Sequence, residues 1–159
     1  MITATQQKIV PIILPAAIVD NDDPVGAYGD TNPVSVDTIG FSRCDIYVLL
    51  GATDIAMTAL GVYEGPTAAS GANDADYSAI TGLQASGATG DGRLPTATDD
   101  NKIFHFGVDL RDKDRFLALD ATCGNGTAGT YVVAWAVLSR GDEEPTTDTD
   151  RNIEWGLEA

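Results

Sequence analysis

The sequence predicts an all-β protein built as one antiparallel domain. Residues 103 to 140 hold three apolar runs with only short polar breaks between them: Ile103–Leu110, Arg115–Cys123 and Thr130–Ser139. Apolar residues recur there at alternate positions, the period of a strand with one buried face. No stretch keeps a helical period, and Arg111-Asp112-Lys113-Asp114-Arg115 supports at most one turn between strands.

Taken from the N-terminus, residues 8–19 are apolar but broken by Pro11 and Pro15. Proline removes a ladder donor, so this run is expected at a sheet edge or as an arm laid along a neighbour. Residues 20–33 are rich in Asp, Asn, Gly and Pro and read as an exposed loop. Val34–Ile39 alternates briefly, as a short strand does. Asp45–Leu50 and Met57–Glu64 read as two strands, expected to be neighbours joined by the polar turn near Ala52-Thr53-Asp54. Residues 65–100 are mostly Gly, Ala, Ser, Thr and Asp, with one short strand expected near Tyr77–Thr81. A loop of that length in a compact domain is usually functional or mobile.

The central block follows. In its first run Phe104, Phe106, Val108 and Leu110 share one face, and in its second Leu117, Leu119, Ala121 and Cys123 do so. These runs are expected as central strands of one sheet. The third, Tyr131–Leu138, is apolar on both faces and is expected to be covered on both sides. After it, residues 142–150 form an acidic stretch with no buried face, and Ile153-Glu154-Trp155-Gly156-Leu157 returns to apolar residues as an anchor for this subunit or the next. The expected organisation is one domain over 1–159, with its core in 8–141 and an acidic tail in 142–159.

Composition narrows the function. The 159 residues are 43% hydrophobic, enough for a core without metal or disulfide staples. No run reaches the roughly 20 apolar residues of a membrane span, and residues 1–8 lack the order of a signal peptide. A net charge of -15, from 24 acidic against 9 basic residues, repels phosphate backbones and argues against nucleic-acid binding. Cys44 and Cys123 are too few and too far apart for a metal motif. Their default use is as small buried hydrophobes, with a bridge between them as the alternative.

Several constellations invite a chemical reading. Gly124-Asn125-Gly126-Thr127-Ala128-Gly129 matches the spacing of a dinucleotide loop, but Thr130–Val133 continues as strand where that fingerprint needs a helix, so a glycine-rich hairpin connection is expected. His105 stands alone among potential ligands and is expected at the surface or in a subunit contact. Asp20, Asp22, Asp23 and Asp30, and separately Asp74, Asp76, Asp99 and Asp100, supply hard oxygens of the kind calcium takes, without the glycine and distal glutamate of a calcium loop; they read as solvated turn residues. Arg111, Lys113 and Arg115 are the only local concentration of basic residues, read as solvated ion pairs or as docking groups for acidic loops of an identical subunit. No nucleophile, base and orienter can be proposed together, so the expectation is a protein that is not an enzyme and needs no cofactor or metal.

Three segments together carry a resemblance: Pro15-Ala16-Ala17-Ile18-Val19-Asp20-Asn21, the run from Leu50 to Leu60, and Leu94 to Lys102 leading into Asp109-Leu110-Arg111. They resemble small virion structural proteins of tailed bacteriophages, encoded among head genes, and the likeness covers residues 8–141. It implies an antiparallel β-sandwich, jelly-roll-like, with extended N- and C-terminal arms, that decorates or cements the capsid exterior. The implied partners are the major capsid protein and further copies of the chain, as a homotrimer, with no nucleic acid and no membrane. The contact residues expected on this reading are Ile12, Ile13, Trp155 and Leu157 in the arms, with Arg111, Lys113 and Arg115 as polar supports. The rivals are a tail or head-fibre component and a carbohydrate-binding module using Tyr28, Tyr63, Tyr77 and Trp155.

Overall fold

The computed structural model describes residues 7–18, 22–85 and 94–141. These form eight strands: β1 (Lys8–Ile18), β2 (Val36–Asp37), β3 (Phe41–Thr53), β4 (Leu60–Gly65), β5 (Ser78–Ala85), β6 (Ile103–Asp109), β7 (Phe116–Asp120) and β8 (Thr130–Gly141). They make two four-stranded antiparallel sheets, ordered β1-β8-β3-β6 and β2-β7-β4-β5. First pairs with last, second with seventh, third with sixth and fourth with fifth. The chain is therefore one long hairpin of strands doubled on itself and rolled into two sheets, which is jelly-roll connectivity.

Alternation in the sequence sets which face each strand buries. On β3, Cys44, Ile46, Val48 and Leu50 point inward and are wholly buried, while Arg43, Asp45, Tyr47 and Leu49 point out. On β8, Val132, Ala134, Ala136 and Leu138 point inward in the same way. The second sheet contributes Val36, Leu60, Val62, Ile80, Leu117 and Leu119, and the two inner faces form one continuous core. Each fully buried large side chain there stabilises the fold by roughly 1.5–3 kcal/mol.

The edge position of β1 follows from its prolines. Pairing with β8 is irregular between Pro11 and Ile13 and again between Ile13 and Ala16. The first shift lets two successive residues, Ile12 and Ile13, both face the core, at 2% and 1% exposure. So the N-terminal run is an edge strand of this chain's own sheet over Lys8–Ile18, not a free arm.

The long-range arrangement departs from the sequence reading in four places. The three central runs do not lie in one sheet: β6 and β8 flank β3, while β7 belongs to the other sheet. The strands β3 and β4 are not neighbours either, because the chain changes sheet between them; among the described residues only β4 and β5 are consecutive strands paired as a hairpin. The Gly124–Gly129 segment is likewise a crossing from β7 to β8 rather than a hairpin turn. Its glycines answer to packing: a Cβ on Gly124 would stand 2.2 Å from the Ala56 carbonyl oxygen, and one on Gly126 would stand 2.0 Å from Asp54 Oδ1. The fourth departure concerns β8, whose outward residues Val133, Trp135 and Val137 are half-exposed.

The outer faces of the two sheets differ. That of the second sheet is roofed by loops: Tyr28 stacks on Tyr63 of β4 with ring centroids 4.5 Å apart, and Tyr77 lies 5.5 Å from Tyr28. Ala118, Phe116 and Ala69 complete that small cluster. On the first sheet, half-exposed apolar side chains remain on the outside.

Candidate partner-docking face

The outer face of the first sheet is built by strand register. One cross-strand row runs Pro11, Trp135, Tyr47, His105, and the next runs Ile9, Val137, Asp45, Gly107. A third row brings Val133, Leu49 and Ile103 side by side. Aromatic rings in the first row stack into a ladder, with Tyr47 4.8 Å from His105 and 5.8 Å from Trp135. Such pairs contribute about 0.5–1.5 kcal/mol beyond area burial and hold the rings flat against the sheet.

A charged group borders the ladder. Asp45 accepts hydrogen bonds from Arg43 Nε and Nη2, the latter at 2.7 Å, and its Oδ1 lies 2.8 Å from His105 Nε2. The Arg43 guanidinium, with His105 beside it, holds the Asp45 carboxyl below the usual carboxylate range. Gly107 makes room for this arrangement, since a Cβ there would stand 2.4 Å from Arg43 Nη2. An aspartate orienting a histidine resembles part of a hydrolytic triad. However, no hydroxyl or thiol among the described residues hydrogen-bonds His105. The thiols of Cys44 and Cys123 are free and buried, and burial pushes both up to about 12, opposite to an activated nucleophile.

Opposite ends of the face differ in character. Toward the start of β8 lies an open apolar groove of about 390 Å³ lined by Pro15, Ala17, Leu49, Gly51, Tyr131 and Val133, among others. Tyr131 is 52% exposed there, and Leu14 and Ile103 nearby in sequence are 70% and 60% exposed. Toward the end of β8 the lining changes to Ser42, Arg43, Asp109, Arg111 and Arg140. Arg111 pairs with Asp109 and draws that carboxyl down to about 2.

The residues expected to make contacts fall differently. Ile12 and Ile13 are core residues, so their side chains are not available to a neighbour, which corrects their reading as arm contacts. Arg111, Lys113 and Arg115 are at the surface, each with an acidic partner in this chain: Asp109, Glu64 and Asp37. Trp155 and Leu157 lie outside the described residues. Of the proposed sugar platform, Tyr28 and Tyr77 are buried beneath loops and Tyr63 is stacked against Tyr28, which removes them as a flat exposed surface. The aromatic surface lies instead on Tyr47, Trp135 and Tyr131, the last two in a run expected to be covered on both sides. The available signal was the apolar residue at every position from Tyr131 to Leu138: a strand between two covered faces and one bearing an open apolar face read the same.

The loop carboxylates cap backbone. Asp74 accepts from the Ser70 and Asp76 amides, Asp99 from Thr96, Asp100 from Thr53, and Asp54 from Ala128 and Gly129. Among the described residues no group of three or more His, Cys, Asp or Glu side chains is placed to hold a metal ion. No helix among them is long and apolar enough to cross a membrane. No protein-family model and no curated protein matches the chain.

Proposed function

We propose that this chain is a non-enzymatic virion structural protein that decorates or cements the capsid of a tailed bacteriophage from the outside. The observation that carries the reading is the outer face of the first sheet, with its aromatic ladder, half-exposed Val133 and Val137, and open groove. Interface cores are enriched in Tyr and Trp in the same way, and a standard protein–protein interface buries about 800 Å² per partner. The resemblance of residues 8–141 to phage head proteins supplies the identity of the partner, the major capsid protein. Cementing requires no chemistry: buried area added across a subunit boundary stabilises the bound state by mass action. Trp155 and Leu157 belong to this reading as proposed contact residues toward the shell, and a homotrimer reuses one contact surface around a symmetry axis.

The test mixes purified protein with matching shells that lack it, sediments them, counts bound copies and records shell melting. Saturable binding at a symmetry-related copy number with a raised melting temperature is expected. No binding at any concentration rejects the reading and moves attention to a tail or head-fibre role. The stacked Tyr47 and Trp135 favour one further reading, a carbohydrate-binding sandwich; silence across a glycan array removes it.

A further inference from the structure

We propose that β6 is where this chain pairs with a second copy of itself, edge to edge and antiparallel, joining the two first sheets into one continuous sheet. The inference goes beyond the capsid reading and does not rest on it. Pairing there uses the backbone edge of the sheet and leaves its outer face open.

Each sheet ends in two edge strands, and β6 is the one that nothing blunts. β1 carries Pro11 and Pro15 and has two register shifts against β8. β2 is two residues long. β5 pairs with β4 through a register shift, and its Gly82 has a positive φ of 82°. Prolines, irregularities and short strands of this kind keep an edge from templating another strand. The seven residues of β6, Ile103–Asp109, pair with β3 without a shift, include no proline and have no positive φ. Among the described residues β3 is the only strand paired with β6.

The direction of its backbone groups follows from the two bonds that flank it. Leu50 N–H donates to the Lys102 carbonyl and Leu110 N–H to the Ser42 carbonyl, so the even-numbered residues turn their backbone groups toward β3. Ile103, His105, Gly107 and Asp109 therefore turn theirs outward. A copy related by a twofold axis through Phe106 matches that pattern along the whole strand. Ile103 meets Asp109 of the second copy and His105 meets Gly107 of the second copy, each pair exchanging both of its bonds.

The side chains fit the same register. On the inner face Phe104 and Phe106 are only half-buried, whereas Val108 is wholly buried. The axis sets Phe106 beside its own equivalent and Phe104 beside Val108 of the second copy, at the closely spaced positions of the new ladder. On the outer face Asp109, the only Asp, Glu, Lys or Arg of the strand, meets Ile103 of the second copy, a residue 60% exposed in the single chain. The two Asp109 carboxylates lie at opposite ends of the ladder, each with its own Arg111. Gly107 adds no side chain opposite His105, and the Arg43 guanidinium that reaches over it keeps Asp45 as its counterion. A threefold contact elsewhere on the chain would join such pairs into a hexamer, so the copy number in solution is even with or without one.

His105→Pro and His105→Ala separate the edge from the side chain. Both remove the imidazole with its contacts to Asp45 and Tyr47. Only His105→Pro also removes the outward N–H, and it takes no bond from β3. Light scattering of the full chain is expected to give an even number of copies for the parent and for His105→Ala, and half that number for His105→Pro. Should His105→Pro fail to fold, hydrogen exchange of the unsubstituted chain reads the same contact. The amides of Ile103, His105, Gly107 and Asp109 are expected to exchange several-fold more slowly in the paired form and to lose that protection when dilution halves the copy number. An odd number of copies for the parent, a single copy included, overturns the proposal. So does a copy number that folded His105→Pro leaves unchanged, and so does fast exchange of those amides in the undiluted protein. Protection that outlasts the halving overturns it as well, since the same chain then covers its own edge.

Discussion

Gly26 and Gly40 both have positive φ, at 97° and 81°, but their surroundings differ. A Cβ on Gly26 would stand 2.0 Å from the Ile12 carbonyl oxygen, whereas nothing lies within 4 Å of the Gly40 position. Gly40→Ala therefore carries only the left-handed penalty, about 1–2 kcal/mol. Gly26→Ala must also displace the backbone of β1 and the loop that brings Tyr28 over the second sheet, and is expected to cost on the order of 2–4 kcal/mol. Urea unfolding of the two variants checks the difference; equal losses would mean that the β1 contact yields freely. Asp120, at the end of β7, gives a pH-dependent counterpart. Burial, and then the neighbouring Asp23, raise its carboxyl above the ordinary value of 3.8. Asp23 Oδ1 is itself buried without a hydrogen-bond partner among the described residues. Below the unfolded value Asp120 is neutral in both states and costs nothing. As pH rises from 3.8 through the higher folded value, the native state must hold a disfavoured charge and stability falls. Asp120→Asn is thus expected to gain in melting temperature over the parent across that window, with the gap closing in acid. A gap independent of pH would remove this explanation.

The loop from β6 to β7 shows what a charge pattern conceals. In the sequence Arg111, Lys113 and Arg115 read as solvated ion pairs or as docking groups for an identical subunit, and in the fold each has an acidic partner within this chain. Arg115 reaches Asp37 of β2 at 2.7 Å and Lys113 reaches Glu64 of β4 at 3.5 Å. Those partners are distant in sequence, so local spacing did not reveal them. Because Arg111 and its partner Asp109 are exposed, Arg111→Ala is expected to leave stability close to that of the parent. Asp54 behaves differently, since its carboxylate accepts the Ala128 and Gly129 amides, the former at 2.7 Å, and fastens the crossing into β8. Asp54→Ala releases two backbone donors and is expected to cost about 1–3 kcal/mol in chemical denaturation; a loss no larger than that of Arg111→Ala would show the crossing to be held by its glycines alone. The strands themselves were legible where alternation was strict: Phe104 to Leu110 and Leu117 to Cys123 both place their buried face as period two requires. Lengths were less legible. β3 continues through Thr53 because that residue is buried against Thr130, with hydroxyl oxygens 2.9 Å apart, a contact made across 77 positions.

Alternation tells a strand which side to bury but not beside which strand to lie, and this is why the sheets could not be composed from the sequence. Lys8 opposite Leu138 is a pairing that no local rule anticipates. The same limit hid the open outer face of the first sheet. Trp135 and Val137 belong to an apolar run that fits a strand covered on both sides, and only the roofing of the other sheet by Tyr28 and Tyr77 shows which exterior remained open. If that exterior is the contact surface, its consequence is separable from folding. Val133→Glu places a charge on the half-exposed outer side of β8 and leaves the inward Val132 and Ala134 in place. Surface substitutions of this kind are expected to shift stability by about 1 kcal/mol or less. A charge without a partner in the centre of an apolar contact weakens binding far more, by about 2 kcal/mol or above, some thirtyfold in dissociation constant. Ala79→Glu on β5 supplies the matched control, an exposed position on the other sheet. Shell binding should therefore fall steeply for Val133→Glu and stay unchanged for Ala79→Glu while both proteins melt near the parent. The reverse pattern would move the contact to the second sheet, where its aromatic residues are already engaged with one another.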